Sequence, residues 1–303
     1  MNIVSVRNLC KTYNKGKTVA LQDVNFDVQS GEIFGIIGPD GSGKTSLFRI
    51  LTTLILADSG NVIVDGYDVV KEYKKIRQHI GYMPGRFSLY QDMTVEENLS
   101  FFATVFNTSI EENYHLVEDI YRQIEPFKKR KAGKLSGGMK QKLALSCALI
   151  HAPHVLFLDE PTTGVDPVSR KEFWEMLQKL KSNFNLSIVV STPYMDEAIQ
   201  CDRIALIQSG KFLTIDSPQG IIDSYTETLW AVRSSKMHKL LADLRKINGI
   251  KSAFAFGEVH HATIDPSLTI ESLHQSLRQL GHKDICIEKI KPSIEDCFMN
   301  LQN

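Results

Sequence analysis

The fold class of this chain is decided by one short stretch, Gly38-Pro39-Asp40-Gly41-Ser42-Gly43-Lys44-Thr45. It fits the pattern GxxxxGK[ST], in which glycines allow backbone N–H groups to approach the oxygens of a phosphate chain. The apolar run 33–37 precedes it as a predicted buried strand, and residues 44–54 follow it with helical spacing. Because the motif lies between a strand and a helix, we predict a phosphate-binding loop at a helix N-terminus.

Two side chains of this loop carry predicted chemistry. Lys44 is expected to meet the β- and γ-phosphates of ATP, and the Thr45 hydroxyl is expected to ligate Mg²⁺. Ser46 follows within the first helical turn, beside the same phosphates. The whole segment from Gly38 to Ser46 is therefore predicted to bind ATP together with magnesium.

Two carboxylates follow a second apolar run, residues 155–158. Ligands of open α/β sheets bind at the carboxyl ends of strands, so Asp159 and Glu160 are expected to face the loop at 38–45. Asp159 is predicted to hold Mg²⁺, and Glu160 to polarise the attacking water. A lone Asp-Glu pair often only caps a helix or a turn. The phosphate-binding loop predicted at 38–45 makes that interpretation the weaker one here. Lys44 and Glu160 are the predicted catalytic residues.

A second anion site is predicted where a hydroxyl and two glycines begin another helix, at Ser136-Gly137-Gly138. The free N–H groups of a helix N-terminus attract negative charge. One nucleotide does not need two such sites from one chain. A head-to-tail pair of chains would use both, with Ser136 of each chain facing the ATP on the other.

Composition limits the class of partner. The 303 residues carry 35 Lys plus Arg and 35 Asp plus Glu, so no net charge draws the chain to nucleic acid. The five cysteines are scattered, which favours a reducing compartment. No signal-peptide pattern opens the sequence, and no apolar run approaches the ~20 residues of a spanning helix. We expect a cytoplasmic protein whose membrane contacts, where present, are made through other chains.

The order of elements predicts an α/β fold with two domains. Strand-length apolar runs alternate with helical segments through a domain at 1–222, with an antiparallel β part near its N-terminus and a helical subdomain at about 86–150. Residues 225–303 show the order β-α-β-β-α-β, which is typical of a small split βαβ domain. His260 and His261 lie in a predicted strand of that domain, with no metal expected.

The motifs together resemble those of ATP-binding cassette (ABC) proteins, the ATPase subunits of ABC transporters. The resemblance rests on GPDGSGKT, LSGGMKQK and FLDEP, in this order and spacing, and covers residues 4–218. The segments GYMPGRFSLYQDMTVEENL, DEPTTGVDPVSRKEFW and STPYMDEAIQCDRI resemble exporter-type subunits of the multidrug and polysaccharide kind. Residues 290–298 resemble the closing segment of the small C-terminal domain in those subunits.

The resemblance implies roles for further residues and partners. Tyr13 would stack on adenine, although a buried core tyrosine is an equal alternative, and Asp166 would link the two half-sites of a cassette dimer. The implied partners are separate transmembrane permease subunits and a second ABC ATPase, in a homodimer or a heterodimer, with the chain held on the cytoplasmic face of the plasma membrane. The region around Phe87, Leu89 and Tyr90 is either ordinary core or an exposed groove for a permease helix.

Two residues depart from the family pattern. Gly85 stands where a glutamine is usual, and Pro193 stands where a histidine is usual. Gly85 offers no amide to magnesium or water, and Pro193 offers neither an imidazole nor a backbone N–H to the γ-phosphate. We therefore expect slow turnover of the ATP held by this chain's own loop. The alternatives are a soluble ABC ATPase of translation or DNA repair, and a nucleotide-sensing subunit that hydrolyses weakly.

Overall fold

The computed structural model describes residues 1–302 and separates into two compact units, which divide between Pro218 and Gln219. The sequence-based boundary was placed a few residues later, at 222–225. Helix α7, Pro218–Asp223, begins at the division. Each unit has its own sheet or sheets and its own buried apolar cluster.

The first unit alternates strands and helices. Its strands are β1 (Asn2–Tyr13), β2 (Thr18–Gln29), β3 (Ile33–Ile37), β4 (Ser59–Val64), β5 (Tyr67–Asp68), β6 (Ile80–Met83), β7 (Val155–Asp159), β8 (Ser187–Thr192), β9 (Arg203–Gln208) and β10 (Lys211–Asp216). Its helices are α1 (Lys44–Leu51), α2 (Tyr73–His79), α3 (Val95–Val105), α4 (Ile110–Tyr121), α5 (Gly137–Leu149) and α6 (Pro167–Phe184). Short 3₁₀ helices cover 125–127, 132–134 and 195–200.

The central sheet has the order β10-β9-β3-β8-β7-β6. Strands β9, β3, β8, β7 and β6 are parallel, and β10 is an antiparallel edge. Every residue of β3, β7 and β8 is buried, which explains why these strands were visible in the sequence as continuous apolar runs. Because the strands are parallel, the segments that follow β3, β7 and β8 lie at one edge of the sheet.

A separate antiparallel sheet, β2-β1-β4-β5, packs its apolar face onto the same core. The predicted class, a P-loop α/β fold with an antiparallel N-terminal part, is confirmed. The structure adds β6, β9 and β10, which the sequence analysis did not identify, and ends α1 at Leu51 rather than at residue 54.

Helices α3, α4 and α5 form the helical part between β6 and β7. Thr94 and Glu97 form the predicted capping box at the start of α3, and Ser109 and Glu112 form a second one at the start of α4. The fully buried Asn98 fixes the loop before α3: its side chain accepts from the Tyr90 N–H at 3.0 Å and donates to the carbonyls of Tyr90 and Thr94 at 3.0 and 2.9 Å.

The second unit contains an antiparallel sheet of order β12-β13-β11-β14. Its elements are β11 (Leu229–Arg233), α8 (Met237–Leu244), β12 (Ile250–Phe256), β13 (Val259–Ile264), α9 (Ile270–Gln279), β14 (Cys286–Ile290) and α10 (Ile294–Leu301). The split βαβ order is therefore present, followed by a helix that the sequence analysis did not include.

Hydrogen bonds between buried polar side chains connect the elements of this second unit. The ring of His282 lies between the Ser234 hydroxyl, 3.0 Å from Nδ1, and the Asp243 carboxylate, 2.9 Å from Nε2. The hydrogen bond from His282 lowers the pKa of Asp243 below its ordinary value. Nε2 of His260 lies 3.0 Å from the carbonyl oxygen of Met237, so this ring nitrogen forms a hydrogen bond inside the second unit.

Asn98→Ala is expected to destabilise the protein by about 1–3 kcal/mol, because the part-buried N–H of Tyr90 and the carbonyls of Tyr90, Met93 and Thr94 lose their partner. Urea unfolding followed by circular dichroism measures the loss. Asn61→Ala removes an exposed asparagine and serves as the matched control. Equal stability of the two variants would show that the Asn98 contacts contribute nothing.

Candidate functional site

The loop between β3 and α1 is shaped by its glycines. A Cβ at Gly38 would lie 2.1 Å from the carbonyl oxygen of Ile207, and one at Gly43 would lie 2.3 Å from that of Ala20. Gly43 also has a φ of 111°, in the left-handed region that other residues avoid. The backbone can therefore turn tightly from the strand into the helix, so that the first N–H groups of α1 are left free for a ligand.

Lys44 is the charged centre of the site. Its side chain is 2% exposed, and its ammonium donates to the carbonyls of Gly38 at 2.7 Å and Pro39 at 3.0 Å. The same ammonium lies 3.1 Å from Oε1 of Glu160. The two predicted catalytic residues are therefore in direct contact.

Asp159 and Thr45 form the oxygen pair that was predicted to hold magnesium. The Thr45 hydroxyl lies 3.4 Å from Oδ1 of Asp159, and the Ser191 hydroxyl donates to that same oxygen at 2.7 Å. Burial raises the pKa of the Asp159 carboxyl above its ordinary value, while the hydrogen bonds from Ser191 and Thr45 oppose the rise. A carboxylate and a hydroxyl are oxygen donors of the kind that Mg²⁺ prefers, and Thr45 and Asp159 could both hold the ion if their oxygens came about 0.5 Å closer, to the ~2.9 Å between adjacent octahedral ligands.

Glu160 is held in an unusual backbone conformation. Its φ is 52°, and its N–H lies 3.0 Å from the hydroxyl and 3.1 Å from the carbonyl oxygen of Ser191. Its other carboxylate oxygen lies 3.5 Å from the Thr163 hydroxyl. The backbone is thus fixed by β8 while the carboxylate faces Lys44.

Ser191 was missed by the sequence analysis, although it binds both acidic residues. The signal was present: a polar residue that follows the apolar run 188–190 at the carboxyl end of a buried strand. Glu197 was missed as well; it is a buried carboxylate whose Oε2 accepts from Thr162 at 3.0 Å and from Thr192 at 2.6 Å. Glu197 joins the segment after Glu160 to the segment that contains Pro193.

The second predicted anion site begins α5. The Ser136 hydroxyl accepts from the N–H of Met139 at 3.3 Å, as an N-cap. A Cβ at Gly138 would lie 2.8 Å from the Ser169 hydroxyl, so this helix start requires a glycine beside α6. Asp166 caps α6 by accepting from the Ser169 N–H at 3.0 Å, which lowers the pKa of Asp166.

The structure brings together only part of the predicted site. Lys44, Thr45, Asp159 and Glu160 contact one another, whereas no hydrogen bond or ion pair within residues 1–302 joins 136–138 to 38–46. Tyr13 lies near the start of α1, with its hydroxyl 3.1 Å from that of Ser46.

The two departures from the family pattern lie close to this centre. A Cβ at Gly85 would lie 2.9 Å from the carbonyl oxygen of Asp159, so any larger residue requires the loop to shift. Pro193 follows β8 directly, between Thr192 and Tyr194, and the ring of Tyr194 is covered by the Arg170 guanidinium at 4.5 Å.

A groove of about 530 Å³ runs between the loop after β6 and the helical part. Its apolar lining includes Phe87, Leu89, Phe102 and Phe106. Leu89 is buried, whereas Tyr90 is 50% exposed and stacks edge-on against Phe101. Of the two alternatives for the Phe87–Tyr90 region, the structure therefore shows an open groove. Across residues 1–302, no helix combines the length and apolarity that are needed to span a bilayer.

Known proteins resemble this chain both in one family model and along nearly its whole sequence. The family model described as "ABC transporter" matches residues 21–163. The doxorubicin resistance ATP-binding protein DrrA of Mycobacterium tuberculosis is 38% identical over 313 residues, covering 98% of this chain and 92% of its own. YbhF of Escherichia coli K12, a probable multidrug ABC transporter ATP-binding protein, is 33% identical over 99% of this chain. This chain spans about half of YbhF, 52% of its length.

Solved structures show the same likeness for the first unit. The ATP-binding cassette MJ0796, in a dimeric structure bound to ADP and Pi, matches with a TM-score of 0.64 at 28% identity, over 71% of this chain and 98% of its own. The protein cbiO1 of Clostridium perfringens, part of the ABC transporter complex cbiONQ, matches with a TM-score of 0.66 at 26% identity, over 74% of this chain and 91% of its own. The chain therefore belongs to the ABC transporter family, as one of its ATP-binding proteins.

Proposed function

We propose that this chain hydrolyses ATP as the nucleotide-binding subunit of an ABC exporter. The observation that carries the proposal is the contact of Lys44 with Glu160, beside the Thr45–Asp159 pair, at the carboxyl end of the central sheet. The names of DrrA and YbhF, which refer to drug resistance and multidrug transport, favour export over a role in translation or DNA repair.

The geometry supports a sequence of events at the nucleotide. When ATP enters, its phosphates attract the ammonium of Lys44, which now contacts Glu160 at 3.1 Å. The carboxylate of Glu160 is thereby released to orient and polarise the attacking water. Thr45 and Asp159 would hold Mg²⁺, which would supply positive charge next to the phosphates. The segment 38–46 holds the phosphates in place through its backbone N–H groups, and Tyr13 is proposed to support the adenine.

We further propose that a second cassette completes the site. Ser136, Gly137 and Gly138 form a helix start that is not linked to this chain's own loop, so its free N–H groups can face a nucleotide held by another chain. Asp166 caps α6 next to this helix start and would connect the two half-sites. The partner is either a second copy or another ABC ATPase.

The 530 Å³ groove is the proposed docking place for a separate membrane permease. Its apolar lining follows β6 directly, and β6 is the parallel neighbour of β7, which ends at Asp159. A helix that moves in this groove would therefore be coupled to the catalytic strand. Such docking places the chain on the cytoplasmic face of the plasma membrane.

Turnover at this chain's own loop is proposed to be slow. Gly85 supplies no amide, and Pro193 supplies no donor to the γ-phosphate. The loss of one donor that acts in the transition state costs about 10²–10³ in rate, by analogy with oxyanion holes. If the two losses lower the rate far enough, the chain would bind ATP and barely hydrolyse it, as a nucleotide-sensing subunit does.

Glu160→Gln should lower ATP hydrolysis by about 10²-fold or more while ATP binding is kept, because the amide cannot accept a proton but preserves the shape of the site. Steady-state phosphate release with magnesium measures the rate, and binding of a fluorescent ATP analogue measures affinity. Glu175→Gln, on the exposed face of α6, is the control. Unchanged hydrolysis in Glu160→Gln would refute the assignment of Glu160.

Pro193→His should raise hydrolysis at least about tenfold over wild type, since the imidazole restores a donor beside the γ-phosphate. Pro193→Ala removes the ring constraint without adding an imidazole and is the matched control. The measurement is single-turnover hydrolysis of bound ATP. If the histidine variant is no faster than the alanine variant, Pro193 does not limit the rate.

A further inference from the structure

A second cluster of titratable side chains lies away from the nucleotide site, at the other end of the central strands. It consists of Asp65, His79 and His154. The Nδ1 atoms of both imidazoles approach the same carboxylate oxygen, Oδ2 of Asp65, at 2.7 Å for His79 and 2.9 Å for His154. All three donor atoms lie within 4.8 Å of one another.

The backbone fixes each member of the cluster. Asp65 has a φ of 51° in the turn between β4 and β5, and its N–H donates to the carbonyl of Ile3 at 2.7 Å. His79 is the last residue of α2, and its carbonyl accepts from the N–H of His154 at 2.8 Å. The three side chains therefore converge through main-chain contacts that do not depend on the imidazole–carboxylate contacts.

The cluster is open to solvent on one side. The side chain of Asp65 is 15% exposed, that of His79 is 32% exposed and that of His154 is 58% exposed. A dissolved ion can therefore reach the three donors without unfolding the protein. The ring of Tyr67 packs edge-on against the ring of His79, with 5.5 Å between their centroids.

The donor set has the chemistry of a zinc site. Two imidazole nitrogens and one carboxylate oxygen, with a fourth position left to water, are a common ligand set for Zn²⁺. Zinc–ligand distances of 2.0–2.2 Å place the donors of a tetrahedron roughly 3.3–3.6 Å apart. The two separations from Oδ2 of Asp65, 2.7 and 2.9 Å, have to lengthen by less than about 1 Å, and the separation between the two Nδ1 atoms, which is at most 4.8 Å, has to come to the same value. Rotation about the exposed side-chain bonds of His79 and His154 allows such movements.

We propose that Asp65, His79 and His154 bind a divalent transition-metal ion, with Zn²⁺ as the best match. The ion would join the β4–β5 turn to the segments that lead directly into β6 and β7. Gly85 and Asp159 lie at the opposite ends of these two strands. The proposed zinc site is therefore separate from the Thr45–Asp159 pair. A bound ion would restrict the movement of β6 and β7, the strands that lead to the proposed nucleotide site.

The test is a zinc titration of the full chain without nucleotide, followed by competition with a chromophoric chelator. Wild type should bind one more equivalent of Zn²⁺ than Asp65→Asn and than His154→Gln. The free cysteines can also bind zinc, so the difference between variants is the measured quantity. His115→Gln, an exposed histidine on α4, is the control and should match wild type.

Two further readouts identify the ligands. Co²⁺ should give visible d–d absorption without a thiolate charge-transfer band, and the absorption should be lost in Asp65→Asn. Zn²⁺ at a hundredfold excess over its Kd should raise the melting temperature of wild type by roughly 5 °C, and that of Asp65→Asn by less. Equal zinc stoichiometry in wild type, Asp65→Asn and His154→Gln would overturn the proposal, and leave the three residues as a hydrogen-bonded cluster only.

Discussion

The burial of the Lys44 ammonium is the constraint on which the proposed nucleotide site of this protein depends. A buried positive charge is costly unless polar groups surround it, and here two loop carbonyls and the Glu160 carboxylate do so. The loop can supply its carbonyls only because glycines allow it to fold back tightly. The carboxylate is available only because β7 runs parallel to the central strands and ends at the same edge of the sheet.

Strand β8 links these groups into one unit. Its last two residues are polar and follow the apolar run 188–190. Ser191 binds both Asp159 and the Glu160 backbone, and Thr192 binds the buried Glu197. Pro193 follows at once. A change in the segment after β8 would therefore be transmitted to the two carboxylates through hydrogen bonds rather than through loose contact. Although Pro193 lies more than 30 residues after Asp159 and Glu160 in the sequence, a substitution at Pro193 can therefore affect both carboxylates.

Much of this could be predicted from the sequence because it depends on local patterns. The loop at 38–45, the buried strands β3, β7 and β8, and the Thr94 capping box all carry their signals within a few neighbouring residues. The contact of Asp65 with His79 and His154 could not be predicted, because it depends on the pairing of three segments far apart in the chain. For Ser191 the sequence signal was present, but its contact with Asp159 depends on the pairing of β7 with β8. The contact of Glu197 with Thr162 is likewise long-range, whereas its contact with Thr192 is local.

The central claim is that Lys44 and its neighbours form a magnesium–ATP site, and nucleotide binding tests it most directly. Titration of the purified chain with a fluorescent ATP analogue and Mg²⁺ should show binding that Lys44→Ala weakens at least about tenfold, through loss of a buried charge–phosphate contact. Lys179→Ala, on the exposed face of α6, should bind as wild type does. Equal affinity of a folded Lys44→Ala and wild type would contradict the account.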